Sequence, residues 1–265
     1  MISTSDIYYS ILLIVGIGIS IKFLELLYLR KEFRSGHAYD WQIVGKDSLI
    51  YKRNTLLKKL YSEQGVILVI GIGLITLILA IFLFNNQQQI FHKVFLFIFI
   101  ICNVIIYTRH SYGLDGADQM SLVILLTILL SYVITPSTNY HIGLYFISAQ
   151  LSLSYIISGG AKLFSNQWRT GKAIQGILST YTYGNRFTRK LFVGNNFISL
   201  IFCWFVILFE LLFPLLLFCN ADVLIIGLAL GVLFHFMIAL TMGLNDFLWS
   251  FSAAYPAFYF TSLQL

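Results

Sequence analysis

Apolar runs of about twenty residues recur along the whole chain and constrain it more than any motif does. A run of that length crosses the hydrocarbon core of a bilayer as an α-helix, because a backbone inside lipid must satisfy its own hydrogen bonds. The runs lie at about 7–29, 66–84, 90–107, 120–135, 142–158, 197–218, 223–242 and 247–263. They predict an all-α fold, a polytopic membrane helix bundle of about eight transmembrane helices. Composition agrees: 58% of the residues are hydrophobic and only 11% are charged, against roughly a quarter charged in soluble domains. No polar stretch is long enough for a separate domain. Residues 1–265 therefore read as a single membrane domain, with N-terminal spans over 1–106 and a core over 107–265.

The formal charge of +6 is unevenly placed. The loop 30–64 alone carries Arg30, Lys31, Arg34, Lys46, Lys52, Arg53, Lys58 and Lys59. Such clusters stay on the cytoplasmic side and are attracted to anionic lipid, so they do not argue for nucleic acid. With this loop inside, alternation of the spans puts both termini outside a cell (inner) membrane. Trp41, Ile43, Leu56 and Leu57 within the loop predict a helix lying on the surface. The N-terminal residues carry no positive charge and no small-residue cleavage site, which fits an uncleaved first span. Cys102, Cys203 and Cys219 fall in or beside apolar runs and read as structural thiols.

One polar segment stands apart, residues 158–185, reading SGGAKLFSNQWRTGKAIQGILSTYTYGN. Gly159, Gly160 and Ala161 lead into Lys162; Trp168 and Gly171 follow. A lysine there either snorkels to headgroups beside an anchoring tryptophan or occupies a protein-lined cavity. Beyond Trp168, Ala173, Ile174, Ile177, Leu178 and Tyr181 recur at helical spacing, predicting a short interfacial amphipathic helix. The other ionisable groups at membrane depth are His110, Asp115, Asp118, Glu210 and His235. Glu210 is the costliest and needs a partner, Lys162 or His235; an interhelical packing bond is the alternative role for Glu210 and His235. Asp115 and Asp118 read as a solvated turn and helix cap. Lys22 and Glu25 share a helical face, where they either pair or reach water at the inner end. His37, His92 and His141 read as loop residues. No metal-ligand spacing, nucleophile elbow or phosphate loop appears.

Taken in order, several of these residues resemble the horizontally transferred transmembrane (HTTM) family, the membrane domain shared with vitamin K-dependent gamma-carboxylase. They are His110-Ser111-Tyr112, then Gly160-Ala161-Lys162-Leu163 with Trp168 and Gly171. Glu210-Leu211 with Pro214, Phe234-His235-Phe236 and a glycine before Asn245-Asp246-Phe247 complete the series. The resemblance covers residues 107–265. It implies a quinone-linked membrane enzyme in which Lys162 is the base and His110 assists. Glu210, His235, Trp168 and Tyr112 would line the cavity or pack around it, and a quinone would serve as cofactor or substrate. The chain ends after its last span, without the carboxylase's large extramembrane region. The linker between Lys162 and Trp168 is one residue longer. The charge bias also places Lys162 on the cytoplasmic side, whereas the carboxylase works from the lumenal side. The alternative is a non-catalytic membrane partner in maturation, export or immunity of a secreted peptide. Four-span redox proteins of the DoxX or MauE type share the glycine–lysine–leucine hinge with half the spans. Membrane lipid, and a membrane or peptide partner, are the expected contacts.

Overall fold

The computed structural model describes residues 3–45, 59–84, 89–109, 115–134 and 141–265, and every element among them is helical. Among the described residues, seven helices are long and apolar enough to cross a membrane. The protein is therefore a multi-pass, all-α membrane protein in contact with lipid. Its packing separates into two units, Met1–Tyr140 and His141–Leu265.

The first unit holds four long helices: α1 (Thr4–Tyr28), α3 (Glu63–Phe82), α4 (Gln89–Arg109) and α5 (Gly116–Ile134). Between α1 and α3 lie a 3-10 turn (Arg30–Phe33) and the four-residue α2 (Trp41–Val44). The expected surface helix of the basic loop is reduced, among the described residues, to α2. It does not lie open on the surface: Trp41 is buried against Tyr61. Arg109, at the end of α4, holds this region down. It donates to the carbonyls of Tyr61 (2.9 Å) and Tyr39 and stacks on the rings of Phe33 and Trp41.

Three readings are corrected in this unit. Lys22 does not simply reach water; it pairs with Asp118 of α5 and lies over the Tyr107 ring. Asp118 is accordingly buried rather than solvated, while Asp115 alone serves as the cap, accepting from the amides of Ala117 and Asp118. Both changes share a cause, since an unpaired charge at this depth costs far more than an ion pair. His92 is no loop residue: it is buried on α4 and meets the Ala80 carbonyl at 2.7 Å.

The second unit opens with α6 (His141–Phe164), so His141 begins a helix and stacks on Phe260. Three short helices follow: α7 (Asn166–Arg169), α8 (Lys172–Ser179) and α9 (Arg186–Phe192). Then come α10 (Asn196–Leu212), a 3-10 segment (Phe213–Phe218), α11 (Ala221–Met242) and α12 (Asn245–Ser262). The predicted amphipathic helix is α8, whose Leu178 is buried. The α10 helix buries only the narrow stripe Ser199, Cys203, Ile207 and Glu210. Its other faces, like those of α11, present exposed Ile, Leu and Phe side chains, an apolar surface too large for water and suited to lipid. The last helix, α12, is not one of the seven strongly apolar ones. It carries serines, tyrosines and Pro256, yet it buries Ser250, Phe251, Ala253, Ala254, Tyr255, Ala257 and Phe258. Its neighbours cover it in place of lipid, which removes the need for a uniformly greasy sequence.

Candidate functional site in the second unit

Three inward-facing stripes converge. On α6, Leu151, Tyr155, Ser158 and Lys162 follow one another at three- and four-residue steps, which places them along one face. On α10 the stripe ends at Glu210. On α11, Leu224, Gly227, Gly231 and His235 form the inward line. Small residues let these helices approach closely. A Cβ on Gly159 would lie 2.9 Å from Leu211 and 3.0 Å from Glu210, so the bare α-carbon brings α6 against α10. Pro214 acts on the same spot. It has no N–H for the Glu210 carbonyl one turn earlier, and the helix tightens into the 3-10 segment there.

The Lys162 ammonium donates to both oxygens of Glu210, at 2.8 and 2.7 Å, and to the Ser158 hydroxyl at 2.5 Å. Their side chains are 18% and 8% exposed, which makes this an ion pair largely withdrawn from solvent. The Trp168 ring closes its outer side, 5.2 Å from the ammonium. Of the two partners open to Glu210 from sequence, the geometry selects Lys162. The lysine belongs to the last turn of α6 rather than to a loop.

His235 is engaged differently. Its Nε2 meets the Tyr155 hydroxyl at 2.8 Å, and that hydroxyl meets Tyr255 of α12 at 3.0 Å. The ring sits among Phe234, Phe247 and Phe251. Its Nδ1 is buried without a hydrogen-bond partner among the described residues, a costly state for a polar atom. Two groups thus lie along α6: an ion pair in its last turn, and a cluster two turns earlier in which the Tyr155 hydroxyl bridges His235 and Tyr255. Both consist of groups that carry protons.

The sequence reading singled out Lys162, Glu210, His235 and Trp168, and the fold brings Lys162, Glu210 and Trp168 into contact. His110 and Tyr112 lie outside the described residues. Tyr155 and Tyr255 were missed. Tyr155 could have been found, because it stands seven residues before Lys162 on the same face. Tyr255 offers no such signal, being one ring among many in α12. No protein-family model, curated protein or solved structure matches this chain.

Proposed function

We propose that this membrane protein belongs to the HTTM, gamma-carboxylase-like class and acts as a quinone-linked membrane enzyme. Lys162 serves as its base and Glu210 as the base's proton partner. The observation that carries this reading is the two-oxygen contact of Glu210 on a part-buried ammonium. In a low-dielectric site an ion pair and its neutral form lie closer in energy than in water. Passing one proton to Glu210 leaves Lys162 as a free amine. Lys162 can then take the proton of a hydroquinone hydroxyl, regaining its charge as the oxygen becomes an anion, while Glu210 keeps the first proton. The phenylalanines around His235 and its unpartnered Nδ1 suit a planar ring bearing hydrogen-bonding oxygens.

The test uses the whole protein in lipid nanodiscs with a vitamin K-type hydroquinone. Amine-reactive labelling of Lys162 should fall when the quinol is added. Oxidation of the hydroquinone by dissolved oxygen, which takes the two electrons, should depend on the protein, and that protein-dependent part should disappear in Lys162→Met. Labelling indifferent to quinol, or equal consumption by the variant, would sink the enzyme reading. The proposed setting is a bacterial inner membrane with both termini outside, which site-directed cysteine labelling of the termini in intact cells checks.

A second reading follows from the same pair. Lys162 is already neutralised by Glu210, and such a pair needs no chemistry to persist. A non-catalytic partner in the maturation, export or immunity of a secreted peptide is what remains if quinol has no effect.

A further inference from the structure

Between Asp118 and Glu210 the sequence contains no aspartate or glutamate. The arm over residues 164–193, which joins α6 to α10, lies inside that acid-free stretch. It carries Arg169, Lys172, Arg186, Arg189 and Lys190, all exposed. Large aromatic side chains stand out beside them: Phe164 is 84%, Tyr181 98% and Phe187 76% exposed.

The arm is built rather than loose. Gly171 enters α8 with φ +78 and lies so close to α10 that a Cβ would come 2.8 Å from the Leu200 backbone. Gln175 donates to Asn196, and the Ser199 hydroxyl donates to the Phe192 carbonyl. Thr188 and Phe192, one turn apart on α9, point inward. Phe187, Lys190 and Leu191 therefore share its outward side. Arg189 lies 6.0 Å from the Tyr181 ring.

We infer that this arm is a docking surface for the anionic phospholipid headgroups of the surrounding leaflet. It leaves one membrane-crossing helix at Phe164 and enters the next at Asn196, so it lies where a span meets the headgroup layer. Cations with no internal carboxylate seek phosphate, and each is worth a several-fold gain near an anionic surface. Exposed rings between those cations enter the boundary between headgroups and acyl chains. An acidic soluble peptide would satisfy the cations but leave the rings in water. The arm also reaches the ion pair, because Trp168, adjacent to Arg169, covers Lys162.

The experiment follows thermal unfolding of the full chain in zwitterionic detergent during titration with phosphatidylglycerol, phosphatidylcholine, inorganic phosphate or a poly-glutamate peptide. Phosphatidylglycerol alone should raise Tm. The triple variant Arg186→Glu, Arg189→Glu, Lys190→Glu should need roughly a hundredfold more of it. Arg186→Lys with Arg189→Lys, which keeps the charge, should behave as the parent and controls for folding. An equal response to phosphatidylcholine, an unchanged response in the triple variant, or stabilisation by phosphate or poly-glutamate in place of the lipid would overturn the inference.

Discussion

Glu210 grips Lys162 with both carboxylate oxygens, at 2.8 and 2.7 Å, from a helix that otherwise buries only Ser199, Cys203 and Ile207. Removing one partner leaves the other charge without compensation in a water-poor site. Glu210→Leu should therefore destabilise the protein by about 3–5 kcal/mol. Exchanging both residues, Lys162→Met with Glu210→Leu, should recover most of that loss. A double-mutant cycle on thermal unfolding in detergent measures the coupling, and losses that simply add would show that the two side chains do not act as a pair.

Gly231 and Tyr255 make the second prediction. A methyl group on Gly231 would stand 2.4 Å from the Tyr255 hydroxyl, so Gly231→Ala must displace the ring that hydrogen-bonds Tyr155. Overpacking of this kind costs about 1–3 kcal/mol. Gly71→Ala meets nothing within 4 Å and should be neutral or slightly stabilising, as alanine is the better helix former. Unfolding midpoints of the two variants should move in opposite directions or differ clearly. Equal shifts would mean that packing at Gly231 is not the cause.

These contacts show which parts of the molecule could be read in advance. Helical class and seven of the eight expected spans follow from run length alone, because lipid leaves few backbone options. Glu210 and His235 could be singled out because a charge or imidazole within an apolar run demands an explanation. Which partner each finds depends on helix rotation and neighbour, and periodicity on one helix does not give the neighbour. Hence sequence leaves Glu210 two possible partners and offers Lys22 only Glu25 or water, although Asp118 awaits it on α5. The same gap hid Tyr255, whose helix has rings on every side and no polar face to orient it.

Arg109 supports the third prediction. Its guanidinium donates to two backbone carbonyls from separate parts of the 30–61 region and stacks on two rings. A lysine ammonium cannot reproduce that planar arrangement. Arg109→Lys should cost about 2 kcal/mol, the scale of a charged hydrogen bond. The effect should be local. Fluorescence from Trp41, which packs beside Arg109, should shift to the red, and proteolysis near residues 30–45 should quicken while α3 stays protected. A variant with unchanged fluorescence and cleavage would show that the fork geometry is dispensable.

The last prediction concerns acid. Asp40 accepts the amides of Gly36 (2.8 Å) and Gln42 (2.9 Å) and the Ser35 hydroxyl (3.3 Å). Those bonds, the Gly36 amide first, favour the carboxylate and hold its pKa below the usual 3.8, with Arg109 adding a smaller pull in the same direction. The unfolded chain therefore binds this proton more readily than the folded one. The stabilisation is present above the ordinary carboxylate range and is lost as pH falls through the lower, folded value. Between neutral pH and about 5 the turn at residues 35–42 should be unaffected. Below about 4 the protection of its amides, relative to their intrinsic exchange rates at each pH, should fall, that of Gly36 and Gln42 foremost. Hydrogen exchange across that range, in the parent and in Asp40→Asn, checks this. The asparagine keeps one acceptor oxygen but cannot titrate, so protection should already be lower at neutral pH and nearly unchanged with acid. An acid-induced loss of protection of the same size in the variant would assign the opening to another group.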